Sequence, residues 1–391
     1  MTDDDFLLLN PGPVPVREEV LAAMSEPMVS HRSADFEAVY ERAQDGLDYV
    51  FEHSDPDGES TSSGGTSLIL NGTATMGMEA AVANLVGESD EVVSLVNGKF
   101  GRRFARIAER HTDEVYRVEA DWGESVDVAN VEAAVSEQTA LVTMVHNETS
   151  TGLLNPAETV GEIAAEHDAR FVVDGVTSIG GDEFRIDDWN VDVALTDAQK
   201  AIETPPGVSA MYLTDGVEEH VDGESAPFYE DLDWHLRKAD QHQTPFTSAV
   251  PLFRALAVAV EGIESETMPT RIARHRRQSA AFREGFVGMG LDLFANPEGP
   301  SELSNTVTAI ALPDSVRGDA ADFFDAVAER NVSISGGQAH LGGEIFRVSN
   351  MGSLPDEQIL RGVRTVGEAM TDAGVDVDLA VGIAAAEERL E

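Results

Sequence analysis

The chain contains no cysteine, which excludes disulfides, thiolate metal sites and a cysteine nucleophile from the outset. Basic residues are scarce: 26 Lys and Arg stand against 72 Asp and Glu, a formal net charge of −46. A field of that sign repels nucleic acid and anionic membranes, so neither is expected as a partner. Lysine is rarer still. Only Lys99, Lys200 and Lys238 occur, and every other basic side chain is an arginine. No run approaches the roughly eighteen apolar residues that span a bilayer, and the amino-terminal MTDDDFLLLNPGPVP lacks both a basic stretch and a long apolar core. The expected location is the cytoplasm, and no metal site is expected.

What is present is enough to fold. With 42% hydrophobic residues in clear periodic patterns, the chain buries a core and is not an acidic disordered protein. An acidic, lysine-poor surface around an ordinary core points to adaptation to high salt, where screening removes most self-repulsion. A length of 391 residues suits two cores better than one. The reading is an arm over 1–15, a large domain over 16–262 and a smaller domain over 263–391.

Within 16–51 the pattern is helical, broken by SEPMVSHRS. Strands are then expected at 67–70, 91–96, 115–119, 140–146, 171–174 and 191–197, most of them separated by single helical stretches. That alternation predicts a mostly parallel sheet flanked by helices, with ligands at the carboxyl ends of its strands. Past residue 263 the pattern changes to a long Arg-rich helix, short strands around VTAIALP, VSISGG and IFRVS, and closing helices, which is an α+β arrangement.

The residues that carry chemistry sit where strands end. Asp174 closes the apolar run FVVD, and a buried carboxylate there is costly unless a cation meets it. Lys200 follows 26 residues later, after a second strand and before PPG. A protonated pyridine nitrogen would satisfy Asp174 while a nearby lysine held the same cofactor covalently. Lys99 and Lys238 do not lie one strand beyond a buried acid. In LILNGTATMGMEAAV, the hydroxyls of Thr73 and Thr75 and the helix start could hold a phosphate, or simply cap the helix. Phe100 is either a ring-stacking aromatic or core. Thr149 is placed to donate to a phenolic oxygen, and His146 beside it is either a participant or a satisfied buried histidine.

Taken in order, NPGP, SHRS, NGTAT, NGKFG, HNETSTG, VDGVTSIGG, QK with PPG, HQTP and GGQAHLGGEIFRVSNMG resemble the class V aminotransferases of the fold-type I pyridoxal phosphate (PLP) enzymes. The group most resembled is that of the alanine–glyoxylate and serine–pyruvate enzymes. The resemblance implies a homodimer with shared active sites and assigns roles where positions match. Lys200 would carry PLP as an internal Schiff base and shuttle the proton. Asp174 would pair with the pyridinium, Val176 support the ring, Phe100 stack on it and Thr149 contact its phenolic oxygen. Thr73, Ala74, Thr75 and Gln199 would bind the phosphate, with Thr244 reaching in from the other subunit. Arg347 would grip the substrate α-carboxylate, since a planar guanidinium does so bidentately; the plainer reading is an arginine in a salt bridge. Ala74, Phe100 and Gln241 depart from common family residues, which bears on phosphate binding.

The expected reaction is ping-pong transfer of an amino group from alanine or serine to glyoxylate or pyruvate. Aspartate or 2-aminoethylphosphonate are the in-family alternatives, with Arg32 and His31 available to an acidic substrate, and a non-catalytic scaffold is the alternative of another class. Persulfide-forming desulfurases share Lys200 and Asp174 but need a cysteine. The cluster Arg271, Arg274, His275, Arg276 and Arg277 reads as a helix tying the two domains together through acid pairs.

Overall fold

The computed structural model describes residues 6–221, 223 and 226–391. Seven strands make the central sheet: β1 (Gly65–Leu70), β2 (Glu91–Val96), β3 (Val115–Glu119), β4 (Thr139–Val145), β5 (Arg170–Asp174), β6 (Val193–Asp197) and β7 (Ser209–Thr214), in the order β1-β7-β6-β5-β4-β2-β3. Strands β3, β2, β4, β5 and β6 pair in parallel, while β7 runs antiparallel between β6 and β1. The interior strands are continuous runs of Val, Leu, Ile and Phe because helices cover both faces, so no residue has a solvent side to alternate toward.

Four helices matter for the site and its supports: α1 (Ala74–Leu85), α2 (Lys99–Ala108), α3 (Met268–Gly288) and α4 (Asp356–Asp372). A second, antiparallel sheet joins β8 (Val307–Ala311), β9 (Ser335–Gly336) and β10 (Ile345–Ser349), with β10 in the middle.

Two large buried clusters result. One gathers residues such as Phe36, Leu68, Val142, Val172, Leu195, Met211 and Phe253 around the seven-stranded sheet. The other gathers Phe282, Phe286, Ile310, Phe323, Phe346 and Val363 around β8 and β10. Helix α3 serves both, giving Met268 and Ile272 to the first and Ala281, Phe282 and Phe286 to the second.

The amino-terminal arm is built into the protein. Leu7 and Leu8 pair in parallel with Val332 and Ser333, and the Leu9 carbonyl accepts from Ser349 N–H of β10 at 2.8 Å. Val14 N–H then donates to the Gln199 carbonyl at 3.2 Å, so the arm passes directly over the Lys200 turn.

Candidate active site

The carboxyl ends of β1, β2, β4, β5 and β6 all open on one side of the sheet, and the segments that leave them enclose a cavity of about 240 Å³. Nine of the residues singled out from sequence line it: Thr73, Ala74 and Thr75 after β1, Phe100 after β2, Thr149 after β4, Asp174 and Val176 at the end of β5, and Gln199 and Lys200 just past β6. The physical reason is topological, since parallel strands deliver their carboxyl ends to the same edge.

Asp174 is 4% exposed, and its carboxylate accepts from Val176 N–H at 2.9 Å. Among the described residues no cationic side chain pairs with it, and burial pushes its carboxyl up to about 7. Lys200 Nζ donates to the Pro11 carbonyl of the arm. Burial lowers its amine to about 8, against the pull of Asp197 and Asp174, so a neutral nucleophilic fraction exists near neutral pH. Gly12, at φ +103°, lies against the lysine chain, and a side chain there would overlap Nζ.

Helix α1 presents its amino terminus to the cavity. Thr73 stands at the cap position with extended backbone, but its hydroxyl makes no capping bond, so the plain capping reading does not hold. Thr75 Oγ accepts from Arg103 at 2.8 Å. At the opposite side, Thr177 gives its hydroxyl proton to the Asn147 carbonyl, so in the 3.0 Å Thr149–Thr177 pair Thr149 is the donor. A donation from Thr149 to a cofactor oxygen therefore requires its hydroxyl to turn.

Arg347 sits on β10, 3% exposed. Its Nη1 donates to the Thr149 carbonyl at 2.8 Å, and Nε and Nη2 donate to the Gly336 carbonyl at 3.1 and 2.9 Å. No carboxylate pairs with it among the described residues, so the salt-bridge reading fails. Burial lowers it to about 10, the mark of a guanidinium held without its counter-charge.

Four residues escaped the sequence reading. Arg103 lines the cavity and stacks 4.9 Å from the Phe100 ring centre; its helical position was legible, its direction was not. Met78, one turn into α1, closes the wall. Asp197 adds a second carboxyl, raised by burial, with the Gln199 amide and Ala74 N–H pulling the other way. Glu148 is fully buried and accepts from Phe100 N–H, Gly101 N–H and Ser150, pinning the start of α2 to the end of β4.

His146 lies outside the cavity. Its Nδ1 meets Ser178 Oγ at 3.0 Å, its ring packs on Phe184 and Trp189, and burial lowers it to about 3, so it is a neutral packing residue. Thr244 is likewise absent from its own chain's cavity: its hydroxyl bonds Phe246 O and Ser248 Oγ. Arg32 donates to Thr244 O, Pro245 O and Gln243 Oε1, so SHRS and HQTP form one unit, and neither lines the Lys200 cavity of the same chain. Gln241 is exposed and accepts from Lys238.

The pieces fit PLP. A buried carboxylate without a cation suits the pyridine nitrogen, a helix start with an uncapped threonine suits the phosphate, and a buried amine suits the aldehyde. The profile of the family described as aminotransferase class-V matches residues 8–343. The chain belongs to the class V aminotransferases. It is 32% identical over 95% of its length to an uncharacterized aminotransferase of Methanocaldococcus jannaschii, covering 94% of that protein. It is 31% identical over 97% of its length to the L-aspartate–glyoxylate aminotransferase of Paracoccus denitrificans, again covering 94%. The crystal structure of an alanine–glyoxylate aminotransferase from Nostoc superposes with a TM-score of 0.83 at 30% identity, over 95% of this chain and 96% of that one. The chain is thus a PLP-dependent transaminase with the fold-type I architecture.

Proposed function

We propose that this aminotransferase moves the amino group of a small uncharged amino acid, alanine or serine, to glyoxylate or pyruvate by a ping-pong sequence. The observation that carries the reading is Arg347, a buried guanidinium beside the Lys200 cavity whose partners are backbone carbonyls. Such a group is built for an α-carboxylate. The cavity of about 240 Å³ is modest, and PLP bound in it would leave room only for a small side chain on the substrate.

Asp174 and Val176 would hold the pyridine ring, Phe100 would stack on it, and Thr73, Ala74, Thr75 and Gln199 would hold the phosphate. Bound there, PLP supplies an electron sink for bonds to the substrate Cα. Lys200 Nζ is placed to take the proton from the substrate Cα, a task matched to an amine lowered to about 8. Arg347 fixes the carboxylate so that the Cα–H bond faces Lys200.

Aspartate is a second reading, because Arg103 lines the cavity and offers a cation to a side-chain carboxylate. Arg32 no longer supports it within one chain, being tied to Thr244 and Pro245. That neither SHRS nor HQTP lines the Lys200 cavity of its own chain supports a homodimer in which Thr244 completes the partner's phosphate site. The division proposed for the chain is an arm over 1–15, a large domain over 16–262 and a small domain over 263–391, and the charge of −46 supports a salt-adapted cytoplasmic protein. Among the described residues no helix is long and apolar enough to cross a membrane.

Alanine, serine and aspartate should be compared as donors against glyoxylate, pyruvate and 2-oxoglutarate. The highest kcat/KM is expected for alanine or serine with glyoxylate or pyruvate; a preference for aspartate above tenfold would transfer the assignment to the second reading. A Lys200→Ala protein that turned over at the parental rate would sink both.

A further inference from the structure

A second cavity, of about 550 Å³, adjoins the first through Arg103, which lines both. Its walls carry Lys99, Arg102, Arg103, Arg106 and Arg110, five of the 26 basic residues of the chain. The spacing i, i+3, i+4, i+7 and i+11 puts them along one side of α2 and its end. Among the described residues none of the five forms an ion pair, although 72 acidic residues are available. Glu109, in the same stretch, turns away to Arg117 at 2.5 Å. Arg103 instead meets Thr75, and Arg102 lies 5.0 Å over the Trp122 ring, another wall of the cavity. The single acid lining it is Glu79.

This arrangement is unfavourable for the helix alone. Like charges three and four residues apart repel, and Lys99 and Arg102 in the first turn oppose the helix dipole, while Arg106 in the last turn favours it. We propose that the second cavity is a carboxylate-binding vestibule, which takes the 2-oxo acid anion and hands it past Arg103 to the Lys200 cavity. The identity of the anion rests on the transaminase reading; the site itself rests on the five unpaired cations. In molar salt the Debye length shrinks to about 3 Å, so the vestibule acts by contact and not as a long-range funnel. Dianions bind it more tightly than monoanions.

The test uses holoenzyme and succinate, a dicarboxylate with no oxo group to react. Binding is followed by the fluorescence of Trp122, with Trp122→Phe as the control that removes the signal. In the double variant Arg106→Gln/Arg110→Gln, succinate should bind about tenfold more weakly, each exposed pair counting for about two- to fivefold. KM for the 2-oxo acid should rise similarly while kcat and the cofactor absorbance stay within twofold. Unchanged succinate affinity overturns the proposal, as does weakened binding that comes only with dissociation into protomers, which would assign the cations to a subunit contact. Weakened succinate binding in a protein that aminates no 2-oxo acid would refute the reaction and leave the anion site standing.

Discussion

At the scale of single residues, Asp174 and Arg347 have opposite charges and the same predicament: each is buried without a side-chain partner of opposite sign among the described residues. The Asp174 carboxyl lies at about 7 when folded against an ordinary 3.8, so the folded chain holds a proton that the unfolded chain releases. The stability this contributes is complete below about pH 4 and is lost as pH rises through 7. Cofactor-free Asp174→Asn should therefore melt about 2 °C or more above the cofactor-free parent at pH 8 and equal it at pH 4, by calorimetry. The same variant should retain PLP poorly, read from the visible absorbance after dialysis. For Arg347→Lys, loss of the planar fork removes one or more charge-assisted bonds of about 1.5–3 kcal/mol, so kcat/KM should fall about a hundredfold with the absorbance spectrum kept. Lys200 and Asp174 were legible in the sequence because a rare residue type and a charge ending an apolar run both stand out. Arg103 and Glu148 were not, because an arginine in an arginine-rich helix and a glutamate in an acidic chain carry no such contrast.

At the scale of elements, α3 is the strut behind the lysine turn. Arg271, 1% exposed, donates from Nε to Gly180 O at 2.6 Å and from Nη2 to Ala201 O and Glu203 Oε1, both at 2.5 Å. Arg274 joins Glu266 to Gly352, and Arg277 reaches Asp356 at the start of α4. The Arg-rich cluster thus ties loops of one core to those of the other, as its charge pattern suggested. Replacing Arg271 by Met leaves Glu203 buried with its main cation gone, and denaturant unfolding should register a loss of about 3–5 kcal/mol. The strands 65–70, 91–96, 115–119, 139–145, 170–174 and 193–197 were readable within a residue or two from apolar runs. Strand β7 was not read, because SAMYLT follows the PPG turn without the helix that separates parallel strands, and its antiparallel return gives no signal of its own.

At the scale of the whole molecule, the charge of −46 is the dominant fact. Raising salt from about 0.1 M to 1 M shortens the Debye length from about 10 Å to 3 Å, which relieves repulsion among surface carboxylates. The melting temperature should climb by several degrees over that range, and equal stability in dilute and molar salt would end the halophilic reading. The two cores were visible in the sequence as a change of periodicity. How they are joined was not, since nothing in MTDDDFLLLNPGPVP marks it as a bridge between two cores. Yet Leu9 is bonded to β10, the strand of Arg347, and Pro11 to the amine of Lys200. Two residues of chain span at most about 7 Å, so the arm is a short rein between the arginine and the lysine. Any displacement of β10 would therefore pull on the carbonyl that accepts from the amine.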